Sequence, residues 1–306
     1  MQAIAIEAMH TPVKVLEVTR PEPGPGEVLV KVHNSSLNGF DLSVAAGRLE
    51  GMMEYRFPAV LGSDYSGTVE AVGDGAARFA PGNAVFGVVM KPYLGAGSFA
   101  TYVAVSEQFG IEHMPADLEP ATAGALGLAG SAALACIDAA ALRDDAAALV
   151  IGATGGVGAL VVQYAKHLGA NVIATGRPGE EADFVRGLGA SHVADYAGDL
   201  ARQVRDLVPK GVAAVIHLAG DPTGLADLLA PGGRIVSTLG YGSEQNASAV
   251  AVRATPDSST LSRLAGDVSA GWLRVPVGRT YEFEEIPGAI DDFAAGTLGK
   301  LALKIS

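Results

Sequence analysis

Cysteine and tryptophan are nearly absent, with one of each in 306 residues. A single cysteine, Cys136, excludes an internal disulfide and any zinc site built from several thiolates. Its apolar setting in Ala132–Ala141 is that of a buried, inert thiol rather than a nucleophile. Positive charge is also scarce: 21 Lys and Arg stand against 33 Asp and Glu, a net charge of -12. With no basic run, this balance argues against partners such as nucleic acid or an anionic membrane surface. The six histidines (10, 33, 113, 167, 192 and 217) include no close helical pair and no H-E-x-x-H. A G-x-S-x-G elbow is missing, which sets a hydrolase of that kind aside. The opening MQAIAIEAMHTPVKV carries Glu7 and no long apolar core, so it does not read as a signal peptide. A cytoplasmic location is the expectation. Residues 146–165 carry no charge and are long enough to span a bilayer. Four glycines at their middle, and a polar helix face beyond, make a buried strand–turn–helix the better reading.

What is present in quantity is apolar surface and glycine. Hydrophobic residues make up 49% of the chain, enough for a large core. Glycine, at 40 residues, is nearly double the roughly 7% of ordinary proteins and has no collagen-like period, so it marks turns and close packing. A chain of this length predicts two domains. The first part is β-rich: Ala3–Glu7, Lys14–Val18, Glu27–His33, Ser63–Val72, Asn83–Met90 and Ser98–Val105 read as short strands between Gly and Pro signals, a small barrel or sandwich. Beyond about residue 120, strands alternate with helices. Ala148–Ile151, Val172–Thr175, His192–Asp195, Ala214–Leu218 and Arg234–Leu239 are the strands; Glu180–Leu188, Leu200–Leu207 and Gly224–Leu229 are among the helices. That order predicts a parallel sheet wound on both faces. Arg279–Ile305 then returns to strand, helix (Ile286–Ala295) and strand.

The stretch Ala146–Ala165 organises the second part. After a short apolar strand it carries Ala153-x-Gly155-x-x-Gly158, a dinucleotide fingerprint with alanine in the first glycine's place. Gly155 lets a backbone approach a pyrophosphate, and Gly158 lets the helix lie tight on the strand. The helix N-terminus offers free N–H groups and a positive dipole end, so Thr154, Gly155, Gly156, Val157 and Gly158 are candidate phosphate contacts. An NAD site places an acid about 20 positions on, at the end of the second strand, to bond the ribose 2′-hydroxyl. Here that place reads Ala174-Thr175-Gly176-Arg177-Pro178, without a carboxylate. Arg177 fits a 2′-phosphate and points to NADPH as the cofactor; the competing reading is a solvated surface arginine.

Several ordered stretches together resemble the medium-chain dehydrogenase/reductase superfamily, specifically its zinc-free quinone oxidoreductase branch. Pro23–Val32 (PGPGEVLVKV) is similar to that family's early strand. Gly62–Gly73 (GSDYSGTVEAVG) resembles its G-x-D-x-x-G-x-V-x-x-V-G signature. Pro81–Gly87 is similar to its P/K-G-D-x-V turn, with asparagine for aspartate, and the Gly152–Gly158 turn and Gly299–Leu303 (GKLAL) fit too. The resemblance covers nearly the whole chain. It implies an α/β protein in which a GroES-like β-barrel domain (1–120), completed by 266–306, accompanies a Rossmann doubly wound parallel-sheet domain (121–265). The cofactor is then expected in the cleft between the two. A homodimer paired through an edge strand is also implied, with Ser248–Arg253 as the candidate edge.

The resemblance also implies site residues. Tyr196 matches a tyrosine near the adenosine phosphate; Thr175, Gly176 and Arg177 belong to the same subsite, where Glu181 replaces a common family lysine. Ala219, Leu239, Gly240 and Tyr241 end the fourth and fifth strands, where backbone groups meet the nicotinamide riboside. The zinc-binding branch has Cys and His ligands where this chain has Asn38-Gly39-Phe40-Asp41 and Gly62-Ser63-Asp64. No metal is therefore expected, and hydride transfer to an electron-poor acceptor, a quinone or an enone, is the implied activity. The loop Asn38–Arg56 lines the acceptor pocket by this analogy. Asn38 is a candidate contact to nicotinamide or substrate carbonyl, or simply holds the loop. Tyr55 is the nearest phenol for proton delivery, and Asp41 reads as a cap rather than an acid. Gly47-Arg48-Leu49 departs from the tyrosine of enoyl-thioester reductases, and Gly130-Ser131-Ala132-Ala133 stands where that family has G-L-T-A, without the threonine hydroxyl and its expected nicotinamide contact. A non-catalytic NADPH-binding redox sensor is the alternative from another class.

Overall fold

The computed structural model describes all residues from Met1 to Ser306. They divide into two units, Met1–Leu128 with Pro256–Ser306 and Ala129–Thr255. No helix is long and apolar enough to cross a membrane.

The first unit opens with nine strands: β1 (Gln2–Ile6), β2 (Lys14–Glu17), β3 (Glu27–Ser36), β4 (Glu54–Val60), β5 (Asp64–Val72), β6 (Ala84–Val88), β7 (Tyr93–Ala96), β8 (Tyr102–Ser106) and β9 (Ile111–His113). In β3 the alternation EVLVKV puts Val28, Val30 and Val32 on one face, where they join Tyr65, Phe99 and Ile111 in a shared core. Each such fully buried side chain contributes about 1.5–3 kcal/mol. Between β3 and β4, where the sequence suggests only a loop, lies a short helix, α1 (Gly39–Ala45). Two further helices, α2 (Pro120–Ala123) and α3 (Gly127–Ala140), follow β9.

The second unit is built on β10 (Ala147–Ile151), β11 (Asn171–Thr175), β12 (His192–Ala194), β13 (Val212–His217), β14 (Leu229–Ser237) and β15 (Ala249–Ala251). All pair in parallel, in the order β12-β11-β10-β13-β14-β15. Counted from β10 this is 3-2-1-4-5-6, the doubly wound order that binds dinucleotides. The helices α4 (Gly156–His167), α5 (Glu180–Gly187) and α6 (Leu200–Leu207) make the first crossovers, and a 3-10 turn at Leu225–Leu228 precedes β14. The central strand β10 reads AALVI without alternation, as a strand covered on both faces must. Leu149, Ile173, Val215 and Ile235 from four neighbouring strands share one core. The expected edge strand is β15, the last of the sheet, with Val250 exposed on it.

The chain then returns to the first unit through α7 (Ser258–Ser269), β16 (Val277–Tyr281), α8 (Ile286–Ala295) and β17 (Lys300–Lys304). β17 runs antiparallel to β3, setting Ala302 opposite Ser36, and buries Leu301 and Leu303 in the core of Val28 and Val30. The unit's two sheets are β16-β17-β3-β5-β6-β9, with β8 also on β3, and β2-β1-β4-β7. The unit boundaries fall at 128/129 and 255/256, where the family resemblance implies 120/121 and 265/266. The physical reason is α7: Asp257 caps it, accepting from the Thr260 N–H at 2.8 Å, and Ser258 hydrogen-bonds Glu112 of β9.

Candidate functional site

The glycine turn between β10 and α4 has the form the fingerprint requires. Gly152 leaves β10 at φ +80, and its N–H donates to the Thr175 hydroxyl at 3.1 Å, so the turn is tied to the end of β11. A Cβ on Gly158 would lie 2.1 Å from the Gly152 carbonyl oxygen and 2.7 Å from the Ala153 Cα, which leaves room for glycine alone. Gly155 is a different case. A Cβ there would meet only the Gly152 oxygen, at 3.6 Å, and its φ of -73 suits any residue. Nothing inside the unit demands glycine at 155; what its missing side chain leaves free is the space over the N-terminus of α4. No side chain caps that terminus. Orphan N–H groups and the positive end of a 12-residue helix therefore face outward, an arrangement suited to a phosphate.

At the end of β11, Thr175 and Gly176 are buried and Arg177 emerges into solvent. Glu181 of α5 turns back onto it. The carboxylate accepts from the Arg177 backbone N–H (2.8 Å) and from Nε (2.8 Å), with Nη2 at 2.6 Å. The Tyr196 hydroxyl donates to the same carboxylate at 3.2 Å, and its ring lies 5.9 Å from the guanidinium. Burial works to raise the Glu181 pKa, but the Arg177 hydrogen bonds outweigh it and hold the carboxylate below its ordinary value. Arg177, Tyr196 and Glu181 thus form one cluster. Glu181 lies in the first turn of α5, and the backward turn of its side chain brings its carboxylate to the strand end.

The carboxyl ends of β13 and β14 frame a pocket of about 280 Å³, lined by His217, Gly220, Pro222, Leu239, Gly240, Tyr241 and Gln245. Leu239, Gly240 and Tyr241 come together here, and exposed Ala219 adjoins it. Sequence reasoning missed His217. Its one signal was a polar residue closing an otherwise apolar strand, VAAVIH.

In the first unit Asn38 and Tyr55 sit in closed hydrogen-bond arrangements. The Asn38 amide nitrogen donates to Asp64 Oδ2 (2.9 Å) and to the Ser36 carbonyl (3.3 Å), while its oxygen accepts from Lys300 Nζ at 2.6 Å. Lys300, 3% exposed, also reaches the Leu37 carbonyl (3.0 Å) and Asp64 Oδ2 (3.3 Å). Asp64 further accepts from the Ser36 hydroxyl and the Leu128 N–H, both at 2.7 Å. Asp41 is a cap, accepting from the Asn38 N–H at 2.9 Å, with the Ser63 hydroxyl on its other oxygen at 2.7 Å. Burial, with the neighbouring Asp64 charge, lifts its pKa to about 7 against these hydrogen bonds. The Tyr55 hydroxyl donates to the Val44 carbonyl at 3.1 Å, fastening β4 to α1.

The donor set does not fit a metal: no three His, Cys, Asp or Glu side chains converge anywhere in the chain. Asp41 and Asp64 are saturated by protein donors, and Cys136 is buried in α3 with its thiol pushed up to about 12. A dinucleotide fits. The glycine cradle, the uncapped α4 and the pocket beyond β13 and β14 all lie at the carboxyl edge of one parallel sheet.

A GroES-like unit joined to a doubly wound unit of this order defines a two-domain dehydrogenase architecture. Residues 24–116 match the alcohol dehydrogenase GroES-like domain, and residues 156–262 match the zinc-binding dehydrogenase domain. The chain is 34% identical to a chloroplastic quinone oxidoreductase, QR1, of Triphysaria versicolor over 67% of its own length and 63% of the relative's. It therefore spans less than two thirds of that relative. The solved quinone oxidoreductase of Coxiella burnetii superposes with a TM-score of 0.90 at 27% identity, over 100% of this chain and 99% of that one. A mycobacterial protein, Rv1454c, solved in complex with NADPH, superposes with a TM-score of 0.85 at 26% identity, over 99% of each chain. The chain belongs to the medium-chain dehydrogenase/reductase superfamily, in its quinone oxidoreductase branch, a family of oxidoreductases.

Proposed function

We propose that this protein is a zinc-independent, NADPH-dependent oxidoreductase that passes hydride to a quinone or an α,β-unsaturated carbonyl. The observation that carries the reading is the uncapped N-terminus of α4 beneath Gly155, with Arg177 at the end of the next strand. Thr154, Gly155, Gly156, Val157 and Gly158 would hold the diphosphate, Thr175 and Gly176 would wall the adenosine, and Arg177 with Tyr196 would meet the 2′-phosphate. Ala219, Leu239, Gly240 and Tyr241 would hold the nicotinamide riboside. NADPH, when bound, supplies the hydride.

The chain's own contribution is to position and to exclude water. Because the Tyr55 proton is committed to Val44 and both ends of the Asn38 amide to internal partners, solvent water is the proposed proton source. Asn38 acts by holding its loop. A cytoplasmic homodimer, paired through the exposed edge β15, belongs to the same proposal.

A second reading has its own observation. The Glu181 carboxylate opposes the 2′-phosphate at Arg177, so NADH is the competing cofactor. Titration of the purified protein with NADPH and NADH, each then challenged with quinones and enones, tests both. Tighter NADPH binding with acceptor-dependent oxidation supports the proposal. Arg177→Ala is expected to weaken NADPH about tenfold, roughly 1.4 kcal/mol, and leave NADH unchanged. Equal losses for the two cofactors would remove the 2′-phosphate role, and tight binding without any turnover would favour the sensor.

A further inference from the structure

His217 is the last residue of β13 and Ser237 the last of β14, and the two stand in register on adjacent parallel strands. Both side chains are buried, His217 with 1% of its surface exposed. The imidazole Nε2 lies 3.1 Å from the Gly220 carbonyl oxygen, which can only accept, so Nε2 carries the hydrogen. Nδ1, 3.0 Å from the Ser237 oxygen, is then the acceptor of the serine hydroxyl. That oxygen in turn accepts the Leu239 N–H at 3.1 Å. The result is a directional chain, from the Leu239 N–H through Ser237 to His217 and on to Gly220. It links the segment after β13 to the segment after β14.

Each segment also has local bonds of its own, the Thr223 N–H and hydroxyl to Asp221 after β13 and the Gly242 N–H to Gln245 Oε1 after β14. Gly220 and Gly240 lie at φ +79 and +80 with open space where a Cβ would be, so their backbones have wide conformational freedom. An apolar residue at 217 would fill the strand end but take a partner from the buried Ser237 hydroxyl and from the Gly220 carbonyl. A buried imidazole is tolerated only because each nitrogen is paired, and what the pairing adds is a fixed distance between two loops. Those loops bound the pocket of about 280 Å³, into which Leu239, 54% exposed, contributes apolar surface.

We infer that His217, acting through Ser237, is a positioning residue that sets the two loops receiving the nicotinamide half of the dinucleotide. This rests on the cofactor reading above, and it touches no phosphate contact. It therefore separates the two halves of the ligand. The test measures dissociation constants for NADPH, NADH and 2′,5′-ADP, the last carrying only the adenosine half, on wild type, His217→Leu, His217→Gln and Ser237→Ala.

His217→Leu is expected to weaken NADPH and NADH about tenfold each and to leave 2′,5′-ADP within about twofold. His217→Gln, whose amide can still reach the Gly220 carbonyl, should recover part of the loss. Ser237→Ala, the milder change should His217→Leu fail to fold, should weaken both dinucleotides about threefold. A merely structural role would lower the melting temperature and weaken all three ligands together, or none. Either pattern overturns the inference while the cofactor reading stands. A wild type that binds none of the three ligands overturns the cofactor reading, and this inference with it.

Discussion

The polar groups of the two units are arranged in opposite ways. In the first unit Asp41, Asp64, Lys300, Asn38, Ser36 and Ser63 satisfy one another, and no buried side-chain nitrogen or oxygen in the chain is left without a partner. In the second unit the backbone donors at the start of α4 have no capping side chain and face outward. A saturated buried cluster stabilises and orients; an uncapped helix start under a glycine with room for a Cβ leaves its donors free for the diphosphate proposed above. The difference separates groups that hold the fold from groups proposed to hold a ligand, although both are polar and both lie in stretches the family resemblance singles out.

That contrast is broken most severely at Lys300. Its ammonium is the counter-charge of Asp64, and neither side chain is more than 3% exposed. Lys300→Ala leaves a buried carboxylate unpaired, and a loss of about 3–5 kcal/mol is expected, read as a lower denaturant midpoint. The double variant Lys300→Met with Asp64→Asn should recover much of this, because it removes both charges together. A loss below about 1 kcal/mol in the single variant would mean the cluster is open to water.

The pH dependence of stability probes the same cluster at Asp41. Its carboxyl moves from an ordinary 3.8 to about 7 on folding. Between those values the unfolded chain has released the proton and the folded chain retains it, so the folded state binds more protons and stability falls as pH rises through the window. At 1.36 kcal/mol per unit the contribution reaches at most about 4 kcal/mol. Melting temperatures measured from about pH 4 to 8 should decline more steeply in the wild type than in Asp41→Asn, which cannot ionise. Parallel profiles would remove Asp41 as the cause.

Gly155→Ala sharpens the other side of the comparison. Alanine fits the backbone and meets only one oxygen at 3.6 Å, but it is a poorer N-cap for α4 than glycine, so only a small loss of stability, about 1 kcal/mol or less, is expected. Dinucleotide affinity should nevertheless fall about 10- to 100-fold, roughly 1.4–2.7 kcal/mol. Gly158→Ala serves as the control. Its Cβ would collide with backbone at 2.1 Å, so stability and binding should fail together.

Much of this was legible in the sequence because it is local. The helices at Leu200–Leu207 and Ile286–Ala295 have the bounds their periodicity predicts, and the glycine turn and the edge strand sit where their patterns put them. What was hidden depends on distance or on side-chain direction. β4 (EYRFPAV) mixes charge and proline without alternation, and α7 (SSTLSRLAGDVS) is rich in poor helix formers, so neither announces itself. Lys300 meets Asp64 across 236 residues, a pairing no window can see. Glu181 turns back on Arg177 by a rotamer, and His217 gains its partners only when β13 and β14 lie side by side.

The smallest expected effect lies at Tyr55, where the comparison is least obvious. The hydroxyl looks like chemistry in the sequence, yet its proton goes to the Val44 carbonyl at 3.1 Å and burial raises its pKa, keeping it protonated. Tyr55→Phe removes one neutral hydrogen bond and leaves a half-buried ring stacked on Phe57. A loss of about 0.5–1.5 kcal/mol in stability follows. Because water is the proposed proton source, turnover of the preferred acceptor should stay within about tenfold, whereas a general acid would cost 10²–10⁴. A fall of that size with an unchanged melting temperature would move Tyr55 from the groups that hold the fold to those that do the chemistry.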